Sequence, residues 1–385
     1  MARILYVSAG YTTHDHRFLE VLAASPHEVW FLPCSEDRVP YERRPLPARV
    51  HPLPPLSRVP PPWRGVGWIT PLRRFRGWVR TVRPDLVHAG PVYGGGFLAA
   101  LTGCRPLLVV SWGSDVLVAP TRSRWLRWVT RRTLRAADLV LGDCDAVRRR
   151  VRELGRLPDD RIVCFPWGVD LGSFRPAASH LGLRRRLGWE RAEIVINTRS
   201  FEPLHGTPVF VEAMRQVCSR RPNLRVVMLG DGSLRAEALR TIERHGLSER
   251  FHLPGQVPHP LLPEYFNEAD LYVSTTYSDG TSVSLLEAMA CGLPVIATEG
   301  YGNNEWVTSA RNGWLVPAGE PSVFAGAVER ALEDAPGRAA IRESNLALVR
   351  ERADWSRNAQ HLLTTYDRLL AGADNRSSDA DLAYR

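Results

Sequence analysis

The sequence predicts an α/β protein of two domains, each built around a parallel β-sheet covered by helices. Short apolar runs rich in β-branched residues alternate with amphipathic helical stretches along the whole chain. Most of these runs end in glycine or a small polar residue, which is typical of the strand–turn–helix units of parallel sheets. The chain has 385 residues, and a single domain usually holds fewer.

Eleven runs are predicted strands. In the first half they are RILYVSAG, DLVHAG, PLLVVSWG, DLVLGD and RIVCFPWG. In the second half they are EIVINTRS, RVVMLGDG, FHLPGQV, LYVSTTYS, PVIATEG and GWLVPAG. Ligands of such sheets bind beyond the carboxyl ends of the strands, so the loops that follow these runs are predicted to hold the functional residues.

The domains are predicted at residues 1–175 and 176–352. The stretch 168–188 is rich in glycine, proline and arginine and has no strand pattern, which favours a domain boundary there. The segment from about 40 to 65 is rich in proline and is expected to be extended or irregular. Residues 372–385 are predicted to form a flexible tail.

Composition narrows the class of protein. Hydrophobic residues make up 44% of the chain, but no apolar run reaches the roughly 18 residues that a membrane span requires. The N-terminus turns polar too early for a signal peptide, and the six cysteines are scattered, which fits the cytoplasm and predicts no zinc site.

All 50 Lys and Arg residues are arginine, and the net charge is +9. The lack of lysine, which a GC-rich genome would explain, excludes a Schiff-base lysine, a P-loop lysine and a Ser-Lys dyad. Contacts to phosphate must therefore come from arginine, histidine or backbone amides.

The stretch SDGTSVSLLEAMACG, which begins at Ser278, contains the first candidate site. A predicted strand precedes it and a predicted helix begins within it, so unpaired backbone amides and a partial positive charge are expected where an anion could bind. Gly280, Thr281 and Ser282 would allow close approach, and Glu287 could reach neutral hydroxyls. Equally, Ser284 and Glu287 could form a capping box, with Asp279 in the turn.

Further candidates follow other predicted strands. Arg199 ends one run and His205 precedes the next helix, although both also fit ordinary structural roles. An arginine can hold a diphosphate with two parallel hydrogen bonds. The remaining candidates lie in the Gly230–Gly232 turn and at the strand ends of the first half: Gly10, the His14–Arg17 cluster, His88 through Gly96, and Trp112 to Asp115.

The sequence favours neither a metal site nor a nucleic-acid partner, and two of its segments fit a membrane surface. Two D-x-D pairs occur, at Asp143/Asp145 and at Asp379/Asp381, and neither position favours a metal site. The dispersed arginines favour no nucleic-acid partner. WRGVGWITPLRRFRGWVRTVRP and TRSRWLRWVTRRTLR interleave tryptophan with arginine. This pattern fits either a helix lying on an anionic membrane surface or a packed helix with a basic outer face.

Taken together, the motifs resemble glycosyltransferase family 4, the retaining group 1 type with the GT-B fold. The resemblance covers nearly the whole chain, in the order VHAG, SWGSDV, ADLVLGDCDAV, IVCFPWGVDLGSFRP, NTRSFEPLHG, MLGDG, FHLPGQVP and SDGTSVSLLEAMACGLPVIATEGYGNNEWV. It implies two Rossmann-like domains facing a cleft, the first on the acceptor side and the second binding the donor. It also implies a helix over 353–371 that returns to the first domain.

By this resemblance, Glu287 would hold the donor ribose, Asp279 the donor sugar and Arg199 the diphosphate. The segment 251–257, with Leu253, would border the base. Catalytic candidates are Arg199, His205, Asp279, Asp115 and His88, and donor-binding candidates are Gly10, His14, Gly230, Gly232, Leu253, Gly280, Thr281, Ser282, Val283 and Glu287.

The sequence departs from the family pattern in three places. Asp279 stands where a glutamate is usual, and His205 replaces the lysine that binds the diphosphate, which predicts a weaker or pH-dependent donor clamp. Trp112 stands where a histidine often contacts the transferred sugar.

The predicted function is retaining transfer of a sugar from a nucleoside-diphosphate sugar, with a UDP-sugar favoured, to an acceptor hydroxyl. No metal or other cofactor is expected. The expected location is the cytoplasm, with a peripheral site on the inner face of the membrane as an option. Two alternatives stay open: a GT-B-type sugar-nucleotide epimerase, and a donor-binding scaffold with weak turnover.

Overall fold

A computed structural model describes residues 1–35, 42, 44–56 and 68–382, the last ten of these by backbone alone. Part of the proline-rich segment and the side chains of Asp379 and Asp381 lie outside the described residues. The chain divides into two compact units. The N-terminal unit comprises residues 1–166 and 357–385, and the C-terminal unit comprises residues 167–356.

The N-terminal unit contains a seven-stranded parallel sheet with the strand order β3-β2-β1-β4-β5-β6-β7. Its strands are β1 Arg3–Ser8, β2 Glu28–Pro33, β3 Val50–Pro52, β4 Leu86–Ala89, β5 Leu107–Val110, β6 Leu139–Gly142 and β7 Ile162–Cys164. Its helices are α1 Thr13–Ala24, α2 Ile69–Val82, α3 Gly96–Thr102, α4 Ser114–Leu117, α5 Ala119–Arg122, α6 Arg124–Ala136 and α7 Asp145–Gly155.

The C-terminal unit contains a six-stranded parallel sheet with the order β10-β9-β8-β11-β12-β13. Its strands are β8 Glu193–Asn197, β9 Leu224–Leu229, β10 Phe251–Gly255, β11 Leu271–Ser274, β12 Val295–Thr298 and β13 Trp314–Val316. Its helices are α8 Leu183–Leu187, α9 Thr207–Arg220, α10 Arg235–Arg244, α11 Leu262–Glu268, α12 Val283–Ala290, α13 Asn303–Trp306, α14 Pro321–Glu333 and α15 Ala335–Arg352. A last helix, α16 Trp355–Leu382, lies mainly in the N-terminal unit.

Helices cover both faces of each sheet, so the central strands are buried on both sides and their sequences are continuous apolar runs. The strands LLVV and LVLG of the first sheet, and LYVS and VIAT of the second, are buried at every position. This explains why apolar runs, rather than alternation, marked the strands in the sequence.

The predicted fold class is confirmed, since each unit has a parallel sheet with helical connections. All eleven predicted strands form, and β2 and β3 are additional. Helix α16 is longer than the predicted 353–371 and continues to Leu382 through residues expected to be a flexible tail. In the described part of the chain, every helix is too short or too polar to cross a membrane.

Candidate functional site

The loop between β11 and α12 forms the centre of the candidate site in the C-terminal unit. Helix α12 begins at Val283, and its N-cap residue Ser282 makes no side-chain capping bond. The amides of the first helical turn therefore lack intrahelical partners and can bind an anion. The loop fits tightly, because a Cβ atom on Gly302 would lie 2.0 Å from the carbonyl oxygen of Gly280.

Arg199 connects this loop to the neighbouring strand β8. Its Nη2 atom lies 2.9 Å from Asp279 Oδ2. Its Nη1 atom lies 3.3 Å from Ser282 Oγ and 3.2 Å from Ser284 Oγ. Strands β8 and β11 are adjacent in the sheet, so their carboxyl ends bring these residues together. The guanidinium group thus lies at the start of α12.

His205 contacts the other edge of the same guanidinium group. Its Nδ1 atom lies 3.2 Å from Arg199 Nη2 and 3.4 Å from Thr276 Oγ1. Burial, followed by the positive charge of Arg199, lowers the pKa of His205 to about 2. The imidazole is therefore neutral at physiological pH, and Nδ1 accepts a hydrogen bond from Arg199. With His205 neutral, the positive charge of this cluster is on Arg199 and the negative charge is on Asp279.

Glu287 lies one turn into α12 and is only 4% exposed. Its Oε1 atom lies 3.0 Å from His259 Nε2. His259 was not predicted as a site residue, although it follows the segment FHLPGQVP directly in the sequence. The alternative capping box is wrong, because the N-cap is Ser282 and makes no such bond, while Glu287 contacts His259 and Asp279 pairs with Arg199.

The turn after β9 lies against the segment that carries Arg199. Phe201 N donates a hydrogen bond to the carbonyl oxygen of Asp231 at 3.0 Å. A Cβ atom on Gly232 would lie 2.5 Å from the carbonyl oxygen of Phe201, and one on Gly230 would lie 3.3 Å from that of Arg199. The glycines thus allow close packing of two backbone segments. Leu253, in β10, is partly buried and packs against the core of the same unit.

In the N-terminal unit, Gly10, His14 and Trp112 follow strands β1 and β5. The rings of His14 and Trp112 stack with centroids 5.3 Å apart and an interplanar angle of 24°. Trp112 also meets the edge of Phe18 at 6.1 Å. A Cβ atom on Gly10 would have open space around it. Trp112 therefore occupies the strand end where the resemblance implies a histidine, with His14 against its ring.

His88 and Asp115 are both only 1% exposed. His88 Nδ1 shares a hydrogen bond with the hydroxyl of Tyr366 on α16, and burial lowers the pKa of His88 to about 3. Asp115 accepts hydrogen bonds from Val92 N at 2.8 Å and Ser111 Oγ at 2.7 Å. Burial raises the pKa of Asp115 to about 6. These contacts favour structural roles, and the catalytic roles remain predictions.

The neighbours of His14 also have local partners. Asp15 and Thr12 form a capping box at the start of α1, and Asp15 accepts a hydrogen bond from the Tyr6 hydroxyl at 3.0 Å. His16 Nε2 lies 3.1 Å from Glu20. Across the described residues, no group of three or more His, Cys, Asp or Glu side chains is placed to hold a metal ion.

Comparison with known proteins identifies the family to which this chain is similar. A family model described as "Glycosyl transferases group 1" matches residues 183–348, and one described as "Glycosyl transferase 4-like domain" matches residues 9–168. A D-inositol 3-phosphate glycosyltransferase of Kineococcus radiotolerans is 28% identical over 270 residues, which cover 64% of this chain and 62% of that protein. The match thus spans less than two thirds of that relative.

Two solved structures are similar over nearly the whole chain. Sucrose-phosphate synthase from Thermosynechococcus elongatus has a TM-score of 0.80 at 20% identity, covering 97% of this chain and 100% of that one. HepE of Anabaena, in complex with UDP-glucose, has a TM-score of 0.79 at 19% identity, covering 96% of this chain and 100% of that one. At these identities the likeness establishes the fold, and the predicted GT-B fold is confirmed.

Proposed function

The chain belongs to the group 1, family 4 type of glycosyltransferases, and we propose that it transfers a sugar from a nucleoside-diphosphate sugar to an acceptor hydroxyl, with retention. The C-terminal unit would bind the donor and the N-terminal unit the acceptor. The observation that carries this proposal is the position of Arg199, which joins Asp279, Ser282 and Ser284 at the start of α12.

The donor diphosphate would bind at the start of α12. The unpaired amides of the first turn and the positive end of the helix dipole favour an anion there. Arg199 would turn its guanidinium group from Asp279 to the phosphate oxygens, where two parallel hydrogen bonds are possible. Electrostatic stabilisation of the departing diphosphate would then be the main catalytic contribution of this chain.

The neutral parts of the donor would bind on either side of the diphosphate. His259 holds Glu287 Oε1 at 3.0 Å, so the carboxylate is fixed in orientation. Its second oxygen, Oε2, would accept hydrogen bonds from the ribose hydroxyls. Asp279, once Arg199 turns to the phosphate, would accept hydrogen bonds from the sugar. The segment around Leu253 would border the base.

We propose UDP as the nucleotide. HepE, which shares the fold, is described in complex with UDP and with UDP-glucose. The sugar and the acceptor are left open, because the match to the inositol 3-phosphate glycosyltransferase spans 62% of that enzyme and the two solved structures are only 20% and 19% identical. A transfer without a metal ion is implied by the family resemblance, and activity in the presence of a chelator tests it.

The proposal is tested by measuring release of UDP from a panel of UDP-sugars with candidate acceptors. Arg199→Ala should lower kcat/KM by about a hundredfold to a thousandfold, the usual cost of one lost electrostatic contact to a transition state. Arg240→Ala, at an exposed position on α10, is the control and should leave the rate unchanged. Equal rates in both variants would contradict the proposed diphosphate site.

Product analysis separates the remaining functions. Transfer gives a glycosylated acceptor with the anomeric configuration of the donor. An epimerase would convert the donor without any acceptor, and a donor-binding scaffold would bind UDP without releasing a product. Either of these results would replace the transferase proposal.

A further inference from the structure

Two tryptophans on α6 are exposed to solvent. Trp125 is 41% exposed and Trp128 is 48% exposed. Their rings stack on each other, with centroids 4.8 Å apart and an interplanar angle of 22°. Large aromatic side chains at such exposure leave apolar area in water, which is unfavourable unless another surface covers it.

A third exposed apolar residue lies close to this pair. Ile69, the first residue of α2, is 49% exposed. The preceding residue, Trp68, meets the edge of Phe97 on α3 at 5.2 Å, and Phe97 meets the edge of Trp128 at 6.1 Å. This chain of rings brings the start of α2 and the exposed side of α6 to one region of the N-terminal unit.

The same region is strongly basic. Segments 69–84 and 116–137 contain no Asp or Glu. We use the name Trp–Arg surface for Ile69, Trp125 and Trp128 together with the exposed arginines of both helices, which are Arg73, Arg74, Arg76, Arg80, Arg124, Arg127, Arg131, Arg132 and Arg135.

Helical spacing places arginines beside the exposed apolar residues. On α6, Arg124 precedes Trp128 by four positions, and Arg131 and Arg132 follow it by three and four. On α2, three arginines follow Ile69 by four, seven and eleven positions: Arg73, Arg76 and Arg80. Positions with these spacings share one face of a helix.

We propose that the Trp–Arg surface docks onto a membrane that contains anionic lipids. Tryptophan is favoured at the membrane interface, where its ring is apolar and its N–H group meets the headgroups. Arginine can extend its charged end to lipid phosphates while its alkyl part covers apolar surface. The positive charge of these two segments matches the negative potential of such a membrane.

The apolar face of α2 is not part of this membrane contact. Phe75 and Val82 of α2 are buried in the core of the N-terminal unit, and Leu72 and Val79 pack against that core. The apolar face of α2 is therefore occupied by the protein itself. The contact is formed instead by α6 and by the first residue of α2.

A membrane explains the surface better than a nucleic acid does. Bases bind by stacking on free faces of aromatic rings, whereas Trp125 and Trp128 each use one face for the other. An exposed aliphatic residue such as Ile69 contributes to lipid contact but offers no stacking face.

The test is co-sedimentation of the full chain with vesicles of phosphatidylcholine alone and of phosphatidylcholine with phosphatidylglycerol. Binding is expected with the anionic vesicles and should fall steeply between about 0.05 and about 0.5 M salt, because salt screens the arginines. Equal binding to both vesicle types, or none to either, would overturn the proposal.

Matched variants locate the contact. The double substitution Trp125→Ser and Trp128→Ser should lower the vesicle–water partition coefficient by about tenfold or more, because less apolar area is buried in the membrane. Leu239→Ser, at an exposed leucine of α10, is the control. Arg124→Glu with Arg131→Glu should weaken binding at least as strongly. The same charge change at exposed positions of α10, Arg240→Glu with Arg244→Glu, should have a much smaller effect.

Circular dichroism verifies that the variants fold. If the double tryptophan variant does not fold, the double arginine variant still tests the proposal. Unchanged vesicle binding in the folded variants would refute the proposal. The proposal would also be refuted if the protein did not bind vesicles but bound a single-stranded oligonucleotide tightly, or formed a dimer in solution, and the same substitutions abolished that interaction.

Discussion

At the scale of single residues, the charge at the start of α12 depends on one guanidinium group. His205 contacts Arg199 but stays neutral, since burial and the neighbouring cation lower the pKa of His205 to about 2. Asp279 opposes the charge of Arg199 at 2.9 Å. The side-chain charges of the ligand-free cluster therefore nearly cancel. Arg199 adds its charge to the attraction of the α12 amides for a diphosphate only when it leaves Asp279.

The neutral state of His205 leads to a prediction about pH. A group with a folded-state pKa near 2 binds no proton at pH 6 to 8.5, so the slope of log Kd for UDP against pH should match that of His205→Gln. His205→Lys should bind UDP about tenfold more tightly, since a hydrogen bond to a charged group contributes about 1.5 kcal/mol. Calorimetry across this pH range measures both quantities. If binding took up a proton on His205, Kd would rise with pH in the wild type but not in His205→Gln.

Asp279 gives a second prediction at this scale. Asp279→Asn removes the carboxylate that pairs with Arg199, so UDP, which lacks the sugar, should bind about fivefold more tightly. This corresponds to an ion pair of about 1 kcal/mol at a partly exposed site. Asp160→Asn, at an exposed position of the N-terminal unit, is the matched control. Weaker binding of UDP by Asp279→Asn would show that Asp279 supports the diphosphate site rather than opposing it.

At the scale of structural elements, glycines fix the loops that carry the site. Gly206 has a φ of +65°, and a Cβ atom there would lie 2.3 Å from the carbonyl oxygen of Thr275. Gly246 has nearly the same conformation, with a φ of +64°, but open space around it. A side chain at Gly246 would therefore cause only backbone strain, whereas one at Gly206 would also clash with the backbone of Thr275.

Alanine at these two glycines should have different effects on stability. Gly246→Ala carries only the left-handed strain, about 1 kcal/mol. Gly206→Ala adds a clash with the backbone of Thr275, so the free energy of unfolding should fall by about 3 kcal/mol or more. Urea denaturation of both variants measures the difference. An equal loss of unfolding free energy in both variants would mean that the backbone contact between Gly206 and Thr275 adjusts without an energetic cost.

The elements also show what the sequence could predict. Eleven strands were predicted because buried parallel strands are continuous apolar runs that end in small residues. The strand EVWFLP was missed because the proline-rich segment that follows it gives no strand–turn–helix pattern. The pairing of Glu287 with His259 was also missed, because it joins residues far apart in the sequence and depends on packing. Likewise, the sequence could not show which tryptophans are exposed, since burial is set by tertiary contacts.

At the scale of the whole molecule, two buried ionisable groups give opposite pH dependence to stability. Burial lowers the pKa of His88 from 6.5 to about 3, so the unfolded chain binds a proton that the folded chain does not between these values. Stability from His88 is complete above pH 6.5 and is lost as the pH falls. Burial raises the pKa of Asp115 from 3.8 to about 6, so this group lowers stability as the pH rises through that window.

Removing His88 should isolate its contribution. In His88→Gln, the slope of the unfolding free energy against pH, between about 4 and 6, should fall by about 1.4 kcal/mol per pH unit, the value for one proton. Denaturation at several pH values measures the slope, with the exposed His245→Gln as control. The same slope in His88→Gln and the wild type would mean that His88 stays protonated in the folded chain.

Fold and family follow from the chain as a whole, whereas donor, acceptor, metal independence and cytoplasmic location stay predictions. We propose above all that the C-terminal unit binds a nucleoside diphosphate between Arg199 and Glu287. The most direct test is titration calorimetry of the full chain with UDP, GDP, ADP and TDP, repeated on Glu287→Ala. We expect selective binding of UDP, weakened at least about tenfold in the variant through loss of hydrogen bonds to a charged group. No binding of any of the four nucleotides by the folded protein, or equal binding by Glu287→Ala, would contradict the claim.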